Sequence, residues 1–241
     1  MGFLAQLVDG AIGMAYGLTA TSVMVAQGVS PAAASAAVHA AEVATTGLSG
    51  LAHWRLGHVE PRLLRRLALP GILGGVAGAL LAGQLPMEIL KPAVSLYLLG
   101  MGFVVLWRAW IGLAPETSAP PSDPMPLGFG GGFLDAVGGG GWGPIVTSTL
   151  IGRGLDAKIA IGTSNAAEFF VTCAVAAAFL TSIGVSIWPL AVGLVIGGAL
   201  AAPFAALATR HMPVRPLMAI VGMVIVLLSG SSLLRHLGLL A

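Results

Sequence analysis

The sequence predicts an all-α polytopic membrane protein made of two inverted repeats, each a Gly-rich re-entrant or broken hairpin followed by three transmembrane helices. Composition is the first reason. Of 241 residues, 57% are hydrophobic and 8% are charged, against about 25% charged in a soluble domain. The mean hydropathy is +0.96. The 11 Lys+Arg and 9 Asp+Glu are too few to cover a 24.2 kDa globule with charge, and so apolar a chain does not stay disordered. The second reason is a series of apolar runs of about 20 residues, each long enough to cross the hydrocarbon core as a helix. Strand-like alternation is absent, which argues against an outer-membrane barrel. The third is a self-similarity, at a shift of 126 residues, between two Gly-rich stretches that do not read as plain helices.

In chain order, the first of these stretches covers 2–27 and contains Asp9-Gly10-Ala11-Ile12-Gly13-Met14-Ala15-Tyr16-Gly17. Spans follow at 31–51, 64–85 and 89–110, with an Arg- and His-rich loop over 52–66 between the first two. Segment 111–126 holds five prolines with Glu116 and Asp123 and reads as a linker. The chain thus divides into a first repeat, 1–110, the linker, 111–126, and a second repeat, 127–241. The second Gly-rich stretch, 128–153, carries a glycine run over 138–141, then Trp142, Gly143 and Pro144. Glycine costs about 1 kcal/mol and proline about 3 kcal/mol at a helical site, so both stretches are expected to break, with their backbone facing protein or a cavity. Further spans are expected at 156–181, 186–209 and 214–235.

Without a gap, the 126-residue shift pairs Asp9 with Asp135, Gly13 with Gly139, Tyr16 with Trp142, Thr21 with Thr147, His39 with Asn165 and Glu42 with Glu168; over 3–42 there are 11 identities in 40. Duplicated halves with interrupted segments at matching places point to a transporter with its site at the repeat interface. Charge selects the topology. If both Gly-rich stretches cross fully, giving eight spans in parallel repeats, the Lys and Arg divide six against five. If both are hairpins, giving six spans and inverted halves, they divide nine (Arg55, Arg62, Arg65, Arg66, Arg108, Arg153, Lys158, Arg210, Arg215) against two (Lys91, Arg235). Cytoplasmic loops carry the excess, so the inverted arrangement is expected, with both termini outside. The N-terminus has no basic region and Asp9 interrupts its apolar stretch, so no cleavable signal peptide is expected and the protein is placed in the inner (plasma) membrane. The single Cys173 excludes an intrachain disulfide and is expected to be a buried, inert thiol.

Four acids fall at membrane depth without a Lys or Arg beside them: Asp9, Glu42, Asp135 and Glu168. An ionised carboxylate there is costly unless paired, hydrated or protonated. They are read as proton-coupling or hairpin-positioning residues; Asp9 and Asp135 also suit the N-cap of the half-helix that follows each. His39 and Asn165 precede Glu42 and Glu168 by one turn on the same face. With Ser35, Thr45, Thr46, Thr163, Ser164 and Thr172 they gather donors near the midplane. Candidate substrate-binding residues are therefore Gly13, Tyr16, Thr21, Ser35, His39, Gly139, Trp142, Thr147, Thr163, Ser164 and Asn165. Helix N-termini and the backbone N–H groups of Gly-rich loops can form an anion site without a cation. No metal is expected, since no second His or Cys has ligand spacing to His39, and no cofactor. The run over 138–141 is no nucleotide loop, as no Gly-Lys-Ser/Thr follows it. Pairs such as Gly71/Gly75, Gly74/Gly78 and Gly193/Gly197 are expected to be helix-packing contacts. A net charge of +2 without basic clusters disfavours nucleic acid. Gly47-Leu48-Ser49-Gly50 has the look of an intramembrane serine protease, but such a dyad needs its histidine on another helix, and His53 lies four residues on.

The strings Gln6-Leu7-Val8-Asp9-Gly10 with Gly13-Met14-Ala15-Tyr16-Gly17, Ala33 to Glu42, His53-Trp54-Arg55-Leu56-Gly57-His58-Val59, Phe133-Leu134-Asp135 with Trp142-Gly143-Pro144, and Gly162-Thr163-Ser164-Asn165-Ala166-Ala167-Glu168 resemble the TauE/SafE family of sulfite exporters over essentially the whole chain. The resemblance implies two duplicated three-helix modules and export of small sulfur-containing anions, sulfite or sulfonates such as sulfoacetate. It also implies that the hairpin tips and the His39/Glu42 and Ser164/Asn165/Glu168 faces form the site. The expected function is secondary transport, not catalysis, with protons as coupling partner and the lipid bilayer as surroundings. An uncoupled anion channel is the alternative, and an intramembrane hydrolase a more distant one.

Overall fold

A computed structural model describes residues 2, 16–112, 123–184, 188–209 and 214–240. Among the described residues the structure is helical throughout, with no strand. The helices are α1 (Tyr16–Ala26), α2 (Pro31–Arg55), α3 (Pro61–Gln84), α4 (Met87–Ile111), α5 (Met125–Gly138), α6 (Ser148–Gly152), α7 (Ala157–Ser182), α8 (Trp188–Thr209) and α9 (Val214–His236); a π-helical turn, Gly143–Thr147, leads into α6. The six expected spans correspond to α2, α3, α4, α7, α8 and α9, each end lying within four residues of its expected place.

Local chemistry sets those ends. Ser30 caps α2, its Oγ accepting from Ala33 N, and Pro31 opens the helix. The helix runs one turn past the expected span, because no breaker occurs before Gly57, whose φ is +72°, and because His53 and Arg55 suit its C-terminal end. Glu60 caps α3 by accepting from Arg62 N and Leu63 N ahead of Pro61, which moves the start earlier than the apolar run alone suggests. Asp156 caps α7 through Lys158 N and Ile159 N. Residues 113–122, the body of the expected linker, lie outside the described residues; α4 ends at Ile111 and α5 begins at Met125.

Among the described residues, four helical segments are long and apolar enough to cross a membrane: Pro61–Gln84, Met87–Ile111, Ala157–Ser182 and Met218–His236. With the wide exposure of Leu69, Leu73, Phe103, Trp110 and Leu227, this describes a polytopic membrane protein whose apolar side chains face lipid. Helix α2 has the length of a span but carries His39, Glu42, Thr45, Thr46 and Ser49.

Helices α3 and α5 pack backbone to backbone. A side chain on Gly128 would meet Leu67 O at 2.5 Å, and one on Gly78 would meet Phe133 O at 2.6 Å; only glycine permits such an approach. Of the expected packing pairs, Gly71 faces Val171 and Trp142, Gly75 faces Val175, and Gly74 and Gly78 face α5. Gly193 differs: no described atom lies within 4 Å of the Cβ it would carry. Elsewhere α2 crosses α7, α3 packs on α7, α8 on α2, and α9 on α4. In the last pair Ser95 and Ser232 share a hydrogen bond of 3.0 Å.

The opening of α2 recurs in α7: Pro31 and Ala157, which open the two helices, are 126 residues apart, as are their caps Ser30 and Asp156. Packing recurs with them: Gly2 would meet Leu194 O at 2.5 Å, as Gly128 meets Leu67 O.

Candidate functional site

The second Gly-rich stretch is broken in the middle. Helix α5 ends at Gly138; Gly139, Gly140 and Gly141 follow with φ of +68°, +146° and +152°, and helical backbone resumes at Trp142. L-residues avoid those angles, so the glycine run is what allows the chain to stop and restart. Tyr97 OH, from α4, donates to Gly140 O at 2.9 Å, and Thr21 Oγ1, from α1, donates to Gly139 O. The backbones of Gly17 and Gly140 touch, so that a side chain on Gly17 would lie 2.7 Å from Gly140 Cα. The start of α1 therefore rests on the break. Asp9 and Gly13, in the first Gly-rich stretch, lie outside the described residues.

Asp135 bridges the break. Its Oδ1 accepts from Trp142 N at 3.0 Å, capping the second limb, while its carbonyl accepts from Gly139 N at 2.8 Å. Its Oδ2 lies 3.2 Å from His39 Nε2. The Trp142 indole, fully buried, donates to Ser164 Oγ at 2.9 Å, and Ser164 Oγ is 2.6 Å from Thr147 Oγ1. Ser35 Oγ donates to Ala136 O at 2.5 Å.

These elements enclose a cavity of about 280 Å³. The first turn of α1 contributes Tyr16, Gly17 and Leu18. Helix α2 contributes Glu42, Thr45, Thr46, Ser49 and His53, and the break contributes Asp135 and residues 141–144. Helix α7 contributes Ile161, Asn165 and Glu168. The N-terminal end of the helical stretch Gly143–Gly152 borders the cavity. Among the described residues no Lys or Arg lines it, whereas three carboxyl groups do. Asn165 Nδ2 donates to Ser49 Oγ at 2.7 Å across the cavity, and Thr46 Oγ1 turns back to Glu42 O. His53, beyond the expected span 31–51, lies 3.2 Å from His58, nitrogen to nitrogen. Partial burial, and secondarily the neighbouring His58 ring, hold its pKa below the usual imidazole value.

Of the residues expected to bind substrate, Tyr16, Trp142 and Asn165 line the cavity, joined by the carboxyl groups of Glu42, Asp135 and Glu168. Thr21, Ser35, His39, Gly139, Thr147 and Ser164 stand behind the wall, all but Gly139 fully or almost fully buried side chains holding the break to α1, α2 and α7. Thr163 is elsewhere: its Oγ1 accepts from Glu60 N at 2.9 Å and ties α7 to the α2–α3 loop. The cavity includes Ser49 and His53, which the sequence reading had as a protease decoy and a loop residue. Their bonds are to Asn165 and His58, not to each other. A signal for both was present, since 42, 45, 46, 49 and 53 recur at helical spacing along one face of α2. His39, Glu42 and Asp135 each bring one donor atom within 4.8 Å of the other two. Both nitrogens of the imidazole are already engaged, at Ser35 O and Asp135, which favours proton chemistry over metal binding.

The family model for the sulfite exporter TauE/SafE matches residues 1–232. The chain is similar to the protein named "Probable membrane transporter protein YtnM" of Bacillus subtilis (strain 168), with 40% identity over 244 residues, covering 98% of this chain and 81% of that protein. No solved structure matches the chain.

Proposed function

The chain belongs to the TauE/SafE sulfite exporter family and is a multi-pass membrane transporter; on that premise we propose that it exports a small sulfur-containing anion, sulfite or a sulfonate such as sulfoacetate, coupled to protons. The observation that carries this reading is the cavity. At about 280 Å³ it suits a small oxyanion with a few waters and is at the lower limit for drug-sized ligands. The helical stretch Gly143–Gly152 opens on it, and the polar side chains of Thr45, Thr46, Ser49 and Asn165 line it, so negative charge is favoured without a cation. An anion leaving a negative-inside cell gains about 2.3 kcal/mol per 100 mV, so efflux needs no nucleotide site.

The same wall presents Glu42, Asp135 and Glu168, and ionised they would repel the anion. We take Glu42 or Glu168 to be neutral while the anion is bound, which couples transport to protons. Alternating access would come from rocking of two inverted halves, 1–110 and 127–241. The recurrence of the α2 cap and start in α7 at 126 residues supports that duplication, and the nine-to-two division of Lys and Arg supports hairpins with both termini outside.

The test is sulfite efflux from proteoliposomes containing the purified protein, with competing anions and a pH series. Saturable, pH-dependent efflux is expected. Glu42→Gln and Glu168→Gln are expected to flatten the pH dependence; wild-type flux and pH dependence in both would end the carboxyl-coupling idea. Voltage-driven flux without saturation would favour an uncoupled anion channel.

A further inference from the structure

We propose that His39 and Asp135 together form a proton-binding latch that closes the glycine break against α2, so that the cavity wall takes up one proton as the anion is seated. The coupling role rests on the transporter reading; the proton site is read from the bonds themselves.

His39 Nδ1 lies 2.8 Å from Ser35 O. A carbonyl only accepts, so Nδ1 carries a hydrogen. Ser35 Oγ, 3.3 Å from the same nitrogen, gives its own hydrogen to Ala136 O and so accepts here as well. In a neutral imidazole Nε2 is then a bare lone pair, yet it faces Asp135 Oδ2 at 3.2 Å. A lone pair and a carboxylate oxygen repel, so the contact requires a second proton. It sits on Nε2, giving imidazolium and carboxylate, or on Oδ2, giving imidazole and carboxylic acid. The balance is the same either way: neutral imidazole plus carboxylate plus one proton gives a pair of net charge zero, and loss of the proton leaves net charge −1.

Proton loss acts on the break because Asp135 spans it. Its other oxygen caps Trp142 and its carbonyl holds Gly139. Neutral hydrogen bonds from Thr21 and Ser35 also link α1 and α2 to this segment. Without the proton, an attractive contact at the junction becomes a repulsive one. Among the described residues, the titratable groups facing the pair are Glu42 on α2, with a carboxyl oxygen within 4.8 Å of it, Glu168 on α7, lining the same cavity, and the Tyr97 hydroxyl on α4, bonded to Gly140 O. Tyr16 faces the cavity from α1. No Lys or Arg is among the described lining residues, so the proton offsets the charge of Asp135, and His39 and Asp135 are 0% and 1% exposed. The latch thus removes one negative charge from the wall when the anion arrives and holds the second limb in place around it.

Asp135→Asn separates latch from scaffold. The amide oxygen still caps Trp142, and the amide N–H₂ donates to the bare Nε2, which keeps the geometry with no proton to lose. His39→Gln removes the titration from the other side. The measurement is hydrogen–deuterium exchange of the segment 138–147 in the purified protein in nanodiscs, corrected for intrinsic rates, across a broad pH series. Wild-type protection is expected to fall at least about tenfold from the acid to the alkaline limb, the scale of one charge-assisted hydrogen bond. Asp135→Asn is expected to stay protected throughout, and His39→Gln to lose the pH dependence. Wild-type protection that ignores pH, or an Asp135→Asn curve that follows the wild type, would overturn the latch. Sulfite efflux run in parallel distinguishes the two ideas. A latch that titrates in a protein that moves no sulfite sinks the substrate reading alone, and pH-coupled efflux over a pH-insensitive break sinks the latch alone.

Discussion

Trp142 shows how single side chains fix this site. Its backbone N–H is capped by Asp135, its indole N–H is held by Ser164, and its ring is fully buried beside Gly71 and Gly131. Trp142→Phe removes the donor together with the pyrrole half of the indole. Ser164 Oγ retains Thr147 as partner, so the expected cost is one buried hydrogen bond plus the cavity left at a fully buried site, about 2 to 4 kcal/mol, seen as a lower melting temperature in detergent. An unchanged melting temperature would show that the bond adds nothing net. Two polar types played different parts from those the sequence suggested. The hydroxyls of Thr21, Ser35, Thr147 and Ser164 bond to backbone or to each other behind the wall, whereas Thr45 and Thr46 line the cavity while donating to Glu42 O. Composition cannot separate these roles, because a hydroxyl hydrogen-bonds equally well to a neighbouring carbonyl or to a ligand.

At the level of elements, glycine acts by absence in two ways: it permits the break at 139–141 and it brings α3 against α5. The second effect is testable on one helix. Gly132 of α5 lies against the Gly71 carbonyl, while Gly130, two residues away, meets nothing within 4 Å. Gly132→Ala is expected to push the helices apart and destabilise the protein. Gly130→Ala is expected to be neutral or stabilising by up to about 1 kcal/mol, since alanine favours helix there. Equal melting temperatures for the two variants would remove the packing argument. The spans themselves were legible from apolar length and capping residues such as Ser30, Glu60 and Asp156. The partner of each glycine was not, because a small residue marks a close approach without saying to what; Gly193, read as a packing site, faces no described atom.

For the whole molecule, the relevant quantity is how charge divides across the bilayer. If the Gly-rich stretches are hairpins, each half has three spans and both termini lie outside. Ala241→Cys on a Cys173→Ala background is expected to react with an impermeant thiol reagent added to the outside of intact cells. Labelling only after the cytoplasmic face is opened would refute that orientation and with it the inverted halves.

The sequence by itself determined the membrane class, the six long helices, the 126-residue recurrence and the family, because these depend on apolar length, capping chemistry and motif spacing, all local or periodic along the chain. Tertiary structure decided which polar groups meet. Asp135 pairs with His39 across 96 residues, and Asn165 with Ser49 across 116. No periodicity along the chain encodes those contacts. They arise because Asp135, at the break, packs against α2 and because α2 packs on α7, and a buried polar group must then bond to whatever donor or acceptor that packing brings within reach.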